Sequence, residues 1–189
     1  MKKAFILCLL CLVLLGCGGC GRSARSPRYF AYLDRSARAS ISGNINGLSF
    51  TALLQSEGRS TQTGDVASGA PSFTLTYLSP AALAGVKVRY DAVGDQYVLS
   101  LEDLDAQGDR YAGLGEVGLM LLHESAVQST REDRLSTPDS NGEQRRVVVL
   151  NTLDGAIRTH DAQTGLPLHV TWSAGGRSIE LDVQEWLVP

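Results

Sequence analysis

The sequence predicts a mainly β domain with a minor helical part: about nine strands in one antiparallel sheet, with the helices on its inner side. Three observations lead there. Apolar and polar residues alternate over short runs from Ile41 to Trp186, the period of a half-buried strand. Tight Gly, Asn and Asp turns separate the runs, leaving no room for helical crossovers, so neighbouring strands run antiparallel. Helical patterns are confined to two stretches, which have only the sheet's apolar face to cover.

Before the domain comes a leader. Met1, Lys2 and Lys3 precede an apolar run from Ala4 to Leu15, and Gly16 precedes Cys17. A charged start, a core too short to span a bilayer and a small residue before a cleavage point make a secretory signal peptide. The segment Leu14-Leu15-Gly16-Cys17 resembles the bacterial lipobox, which implies cleavage after Gly16 and a diacylglyceryl group on Cys17. The expected organisation is therefore a signal peptide over 1–16, a lipidated cysteine with flexible tether over 17–27, and a β domain over 28–189. An acyl pair is strong enough to hold such a domain at a membrane, on its extracytoplasmic face.

Composition narrows the classes further. Cys8, Cys11, Cys17 and Cys20 all lie in or beside the leader, so the domain must be held by a core and not by disulfides or thiolate-bound metal. The chain carries a net charge of -3. Loss of Lys2 and Lys3, with no acidic residue leaving, takes it to -5. Mild acidity with scattered arginines argues against nucleic acid as a partner. About 150 residues beyond the tether suffice for one domain with an apolar core.

Along the domain, Ser26-Pro27 suits the start of a short helix with Phe30, Leu33 and Ala37 on one stripe. Ile41, Gly43 and Ile45, then Asn46-Gly47, then Leu48, Phe50, Ala52 and Leu54 spell a hairpin. Residues 56–70 are polar and glycine-rich, hence a loop. Phe73, Leu75 and Tyr77 form one face of a strand that ends in a helical turn from Ser79-Pro80 to Gly85. Val86, Val88 and Tyr90 alternate again, Gly94-Asp95 turns the chain, and Tyr97, Leu99 and Leu101 return it. Residues 91–97 (DAVGDQY) are echoed by 105–111 (DAQGDRY), which read as two successive turns of a meander.

Residues 113–128 have a helical pattern, with Leu114, Val117 and Leu121 on an apolar face. Gly113, Gly115 and Gly118 weaken it by roughly 1 kcal/mol each relative to alanine, and such glycines permit close approach of the helix backbone to a sheet. Residues 129–146 are long, charged and without period, so they read as a loop. Val147 to Leu150 make a short apolar strand, Gly155 turns, and Ile157 begins another. Residues 161–186 close the domain as a hairpin, with Leu168, Val170 and Trp172 on one arm and Ile179, Leu181 and Val183 on the other.

Chemistry-bearing constellations are not apparent. His123, His160 and His169 are scattered with no metal-ligand spacing. Asp103, Asp105 and Asp109 suggest a calcium loop, but Leu114 stands where the closing glutamate belongs. There is no nucleophile elbow, phosphate loop or dinucleotide fingerprint. A protein without cofactor or metal, and not an enzyme, is the expectation.

Two stretches carry a family resemblance. Asp161 followed by Thr164-Gly165-Leu166-Pro167 and an alternating strand resembles the C-terminal hairpin of the LolA/LolB-like lipoprotein-carrier superfamily. Ser79-Pro80 through Leu83-Ala84-Gly85 between two strands is similar to small LolA-like lipoproteins of clostridia and related Gram-positive bacteria. The resemblance implies a strongly curved antiparallel sheet, an unclosed half-barrel, with helices on its concave side. It also implies a hydrophobic ligand, an acyl chain or lipid, held there. The residues expected to line that cavity are Phe73, Leu75, Tyr77, Val88, Tyr90, Val117, Leu121 and Trp172. The alternative is a protein-interaction module for a cell-envelope or sporulation partner, its cavity filled by its own side chains.

Overall fold

The computed structural model describes residues 28–59, 69–108, 113–138 and 144–188. A 3-10 helix, Arg28–Asp34, leads into β1 (Ala37–Ile45), β2 (Leu48–Ser56), β3 (Phe73–Ser79), β4 (Lys87–Asp91), β5 (Gln96–Leu101) and β6 (Leu104–Gly108). One α-helix follows, α1 (Glu116–Leu122). The chain then forms β7 (Val127–Pro138), β8 (Gln144–Thr152), β9 (Ile157–Asp161), β10 (Pro167–Ala174) and β11 (Arg177–Leu187).

All eleven strands join one sheet in the order β6-β5-β4-β3-β2-β1-β11-β10-β9-β8-β7. Every pairing is antiparallel. The order is that of two meanders joined where β11 returns beside β1, and among the described residues β6 and β7 are the two edges, so the sheet is unclosed. The expected antiparallel sheet stands, with eleven strands where about nine were expected. Its helical part is smaller than expected: among the described residues, one seven-residue α-helix and one seven-residue 3-10 helix.

The strongest hairpin signal in the sequence is the β1–β2 turn. Asn46 and Gly47 adopt positive φ angles of 51° and 90°, as a two-residue hairpin turn demands. The Asn44 carboxamide closes it by accepting the Gly47 amide at 2.6 Å. Ile41 and Ile45 on one arm and Phe50, Ala52 and Leu54 on the other are then buried on one face. Directly opposed residues of antiparallel strands share a face, so the register continues the core across the sheet. Phe50, Gly43, Leu181, Val170, Arg158 and Leu150 make one such row over β2, β1, β11, β10, β9 and β8. An irregularity beside Ser40 and Ile41 steps the β1–β11 register, so that Trp186 and not Glu185 opposes buried Ala39.

Several sequence expectations are corrected. Residues 129–146 are not a loop: they contribute to β7 and β8, and only 139–143 between them lie outside the described residues. The pattern is illegible because β7 is the sheet's edge, beyond the core, where neither face selects apolar side chains. The helix expected over 113–128 is regular only from Glu116 to Leu122. Residues 113–115 form a turn, and His123 is already extended, with φ -89° and ψ 130°. The N-terminal helix is 3-10 and ends at Asp34, so buried Ala37 belongs to β1. Residues 105–108 lie in β6, so the echoed DAQGDRY motif is not a second turn. Its last residues, and the signal peptide, Cys17 and the tether, lie outside the described residues.

Candidate hydrophobic site beneath the short helix

The apolar face of α1 packs on the core face of the sheet, touching β3 and β10. Val117 and Leu121 point inward and are completely buried. The close approach depends on two glycines. A Cβ on Gly118 would stand 2.1 Å from the Phe73 ring, and one on Gly115 would stand 2.6 Å from the Tyr97 ring. No real side chain tolerates such distances, so these positions trade helix propensity for contact with aromatic residues of β3 and β5.

Seven of the eight residues expected to line a cavity lie together beneath α1. Phe73, Leu75, Tyr77, Val88, Tyr90, Val117 and Leu121 belong to one core cluster. Phe73 is 2 % exposed and the other six 0 %. A side chain with no accessible surface has no water-sized gap beside it, so in this state these residues fill the space themselves. Phe50 meets Tyr77 edge-on at 5.3 Å, and Phe73 stacks on Tyr90 at 5.3 Å. Trp172, the eighth, packs half-buried against this cluster, donates from its indole N–H to the Asp154 carbonyl at 3.0 Å, and has the Arg177 guanidinium 5.9 Å from its ring.

Polar ties hold α1 at both ends. At its start, Tyr77 donates its hydroxyl to the Leu114 carbonyl at 2.8 Å, and Arg177 forms an ion pair with Glu116. At its end, Tyr32 donates to the Leu121 carbonyl at 2.5 Å, and Arg158 donates to the His123 carbonyl at 2.8 Å. Arg59 pairs with Glu124 at 2.6 Å and with Asp34 at 2.9 Å, fastening this end to the 3-10 helix. A helix end exposes unsatisfied carbonyls, and here an arginine and a tyrosine from other elements supply the donors. Burial pushes the Tyr32 hydroxyl well above its ordinary pKa, keeping it a neutral donor.

Nothing in the sequence singles out Arg158, because it sits in an alternating strand like any surface arginine. In β9 the alternation is inverted: Ile157 is exposed, while Arg158 and His160 face the core. Burying a guanidinium is costly unless it is paired. Beyond His123, Arg158 reaches Asp154 at 3.2 Å. Burial works to raise the Asp154 carboxyl, but hydrogen bonds from Thr152 and Ala156 and the Arg158 charge outweigh it and hold it below the ordinary carboxylate range. Among the described residues the Arg158 Nε and the His160 Nε2 have no hydrogen-bond partner.

His160 is the second buried polar residue of β9. Its Nδ1 meets the Gly165 carbonyl at 2.9 Å, so that nitrogen carries the proton. Tyr29 and Phe30 of the 3-10 helix meet its ring edge-on, each at 5.9 Å. Burial drives its pKa down to about 4, against the Gly165 hydrogen bond and with the help of the Arg158 charge. The imidazole is therefore neutral at physiological pH. Gly165 is held in turn by the Asp161 turn, whose carboxylate accepts from the Gln163 and Thr164 amides at 2.9 and 2.6 Å and from the Thr164 hydroxyl at 2.9 Å. The Asp-x-x-Thr-Gly motif is thus a turn that positions a buried histidine.

The remaining histidines are elsewhere. His169 pairs with Asp182 at 2.8 Å on the opposite side of β10 and β11 from Val170, and His123 offers α1 its final carbonyl. Open grooves also lie away from α1. One of about 350 Å³, lined by Arg38, Leu53, Gln55, Thr76 and Leu187, lies on the outer face of β1, β2, β3 and β11.

The architecture is one unclosed antiparallel sheet with its core on a single face, as the sequence resemblance implies for the sheet. No protein-family model matches the chain, and no curated protein matches it in sequence. Solved structures do match. An uncharacterized conserved protein from Thermus thermophilus superposes with a TM-score of 0.52 at 12% identity, covering 86% of this chain and 83% of that one. A putative outer membrane lipoprotein-sorting protein domain from Vibrio parahaemolyticus gives 0.44 at 12% identity, over 85% and 87% of the two chains. A LolA superfamily protein from Nitrosomonas europaea gives 0.42 at 8% identity, over 87% and 90%. The first likeness establishes a shared fold alone, and the two weaker superpositions carry no weight for function. Among the described residues no helix is long and apolar enough to cross a membrane.

Proposed function

We propose that this chain is an exported lipoprotein, anchored at the extracytoplasmic face of the membrane through Cys17, that takes an acyl chain or similar hydrophobic group between α1 and the sheet. The reading is of a binding protein and not of an enzyme. The observation that carries it is how α1 is attached. Its sheet-facing residues are apolar, while the bonds that fix it are side-chain ties at its two ends, from Tyr77, Arg177, Tyr32, Arg158 and Arg59. A cover held in this way lifts without breaking any strand pairing, and the surface beneath it is aromatic and aliphatic. The structure is then the closed state, and a guest must displace α1 from Phe73, Tyr77 and Tyr90.

One observation favours the second reading, an interaction module for an envelope protein. The space under α1 is already filled by the protein's own side chains. The two readings part on a single experiment, titration of the purified chain with a fluorescent fatty acid, with Arg158→Leu in parallel. For a two-state cover, apparent affinity scales with the open fraction. A carrier takes up one equivalent, and more tightly in the variant that lacks the tie. An interaction module takes up none in either form.

A further inference from the structure

Beneath the far end of α1 lie two polar atoms that the ties to α1 do not use. Arg158 and His160 stand on the core face of β9, 1 % and 0 % exposed. Arg158 gives its two terminal nitrogens to the His123 carbonyl and the Asp154 carboxylate, and His160 commits Nδ1 to the Gly165 carbonyl. The Arg158 Nε and the His160 Nε2 are left without a hydrogen-bond partner among the described residues. Unmet polar groups at such depth are costly and rare. The two side chains flank one ring: the Phe30 centroid is 5.7 Å from the Arg158 guanidinium carbon and 5.9 Å from the His160 ring centroid. Tyr32 lies beside them, its ring 6.2 Å from that of His160, and its hydroxyl bonds the Leu121 carbonyl of α1.

We propose that the Arg158 Nε and the His160 Nε2 form the head-group site of the guest, and that the guest is a hydroxyl-headed lipid, a long-chain alcohol or acylglycerol. The proposal rests on the reading that α1 lifts to admit an acyl chain. The head is selected by what the two unmet atoms can do. Nε of a guanidinium only donates. With the His160 proton on Nδ1, its Nε2 only accepts. A group that satisfies both at once must accept one hydrogen bond and donate another, as a hydroxyl does. An ester, an ether or an ionised carboxylate accepts from Arg158 but has no proton for His160, and Nε2 stays unmet. Side chains two apart on one strand face start about 6.5 Å apart, and one oxygen with two bonds of about 2.8 Å spans up to about 5.6 Å. A single hydroxyl is therefore of the right scale to join them. When α1 lifts, the Arg158 tie to His123 breaks, while the Asp154 pair holds the guanidinium in place and Phe30 walls the head on its apolar side.

The test measures the affinity of the purified full chain for decanol and for methyl decanoate, in the wild type and in His160→Phe, together with nitrogen NMR spectra of wild-type protein carrying labelled histidine. Taking the ratio of the two affinities cancels the difference in hydrophobicity between the probes. The expected result is a decanol-to-ester ratio roughly tenfold larger in the wild type than in the variant. Decanol should also shift the His160 Nε2 resonance while Nδ1 keeps its proton, a readout that needs no variant to fold. A ratio unchanged by His160→Phe, or an Nε2 resonance indifferent to bound decanol, overturns the head-group site and leaves the hydrophobic site beneath α1 standing. Binding of neither probe to the wild type overturns the hydrophobic site itself, and the head-group site with it.

Discussion

Arg158 on β9, the third strand from the β7 edge of the sheet, donates to the His123 carbonyl across 2.8 Å at the end of the helix. The guanidinium is 1 % exposed, and the residue to which it is tied is where the helix ends and the chain becomes extended.

Replacing Arg158 by leucine removes the tie and leaves the His123 carbonyl short of a donor. Loss of a buried charged hydrogen bond lowers stability by about 2 kcal/mol or more. Hydrogen exchange should quicken in residues 114–123 while the β1–β2 hairpin stays protected. Uniform exchange across both segments would mean that Arg158 supports the whole fold and is not specific to the cover.

Gly118→Ala tests the packing of α1. Helix propensity alone favours alanine by roughly 1 kcal/mol. The added carbon would stand 2.1 Å from the Phe73 ring, and overpacking of that kind costs about 1–3 kcal/mol. Chemical denaturation should show net destabilisation, relieved when Phe73→Leu is added. A more stable single variant contradicts the close approach.

How much of this is legible in the sequence follows from where each signal lies. Hairpins over the core, such as Ile41 to Leu54, are legible because the inner face demands alternation and Asn46-Gly47 demands a turn. The core positions Phe73, Leu75, Tyr77, Val88 and Tyr90 are legible for the same reason. Strand β7 is not, because an edge beyond the core imposes no pattern. Arg158 and His160 are hidden by an inverted strand, in which polar residues face inward and only tertiary contacts reveal it. A hint exists in the Thr-Gly-Leu-Pro turn after Asp161, which holds the Gly165 carbonyl against His160.

Acid should loosen the 3-10 helix through His160. Its folded pKa of about 4 lies below the ordinary 6.5, so the unfolded chain binds this proton more readily. The associated stability is complete above about pH 6.5 and falls by about 3 kcal/mol as the pH drops to about 4. Asp154 and Asp161, whose carboxyls are also held low, lose their contributions further down, below the ordinary carboxylate value of 3.8. Urea unfolding at pH 7 and pH 4.5 should separate the wild type from His160→Phe, whose loss over that interval is much smaller. Equal losses would assign the acid sensitivity to other groups.

Asp161→Ala removes the acceptor for two amides and a hydroxyl in the β9–β10 turn, together with the partner of Arg145 at 2.5 Å. A stability loss of about 1–3 kcal/mol is expected, with increased proteolysis at residues 161–167. A loss within a few tenths of a kcal/mol would show that the turn holds without its carboxylate.

The most direct measurement is photolabelling of the full chain with a fatty acid that carries a diazirine midway along its tail, followed by mapping of the labelled peptides. The account predicts attachment to α1 and to the strand residues beneath it, around Phe73, Tyr77, Tyr90 and Leu121, and more of it in Arg158→Leu. Label confined to the outer groove around Leu53 and Leu187, or no saturable label at all, would contradict it.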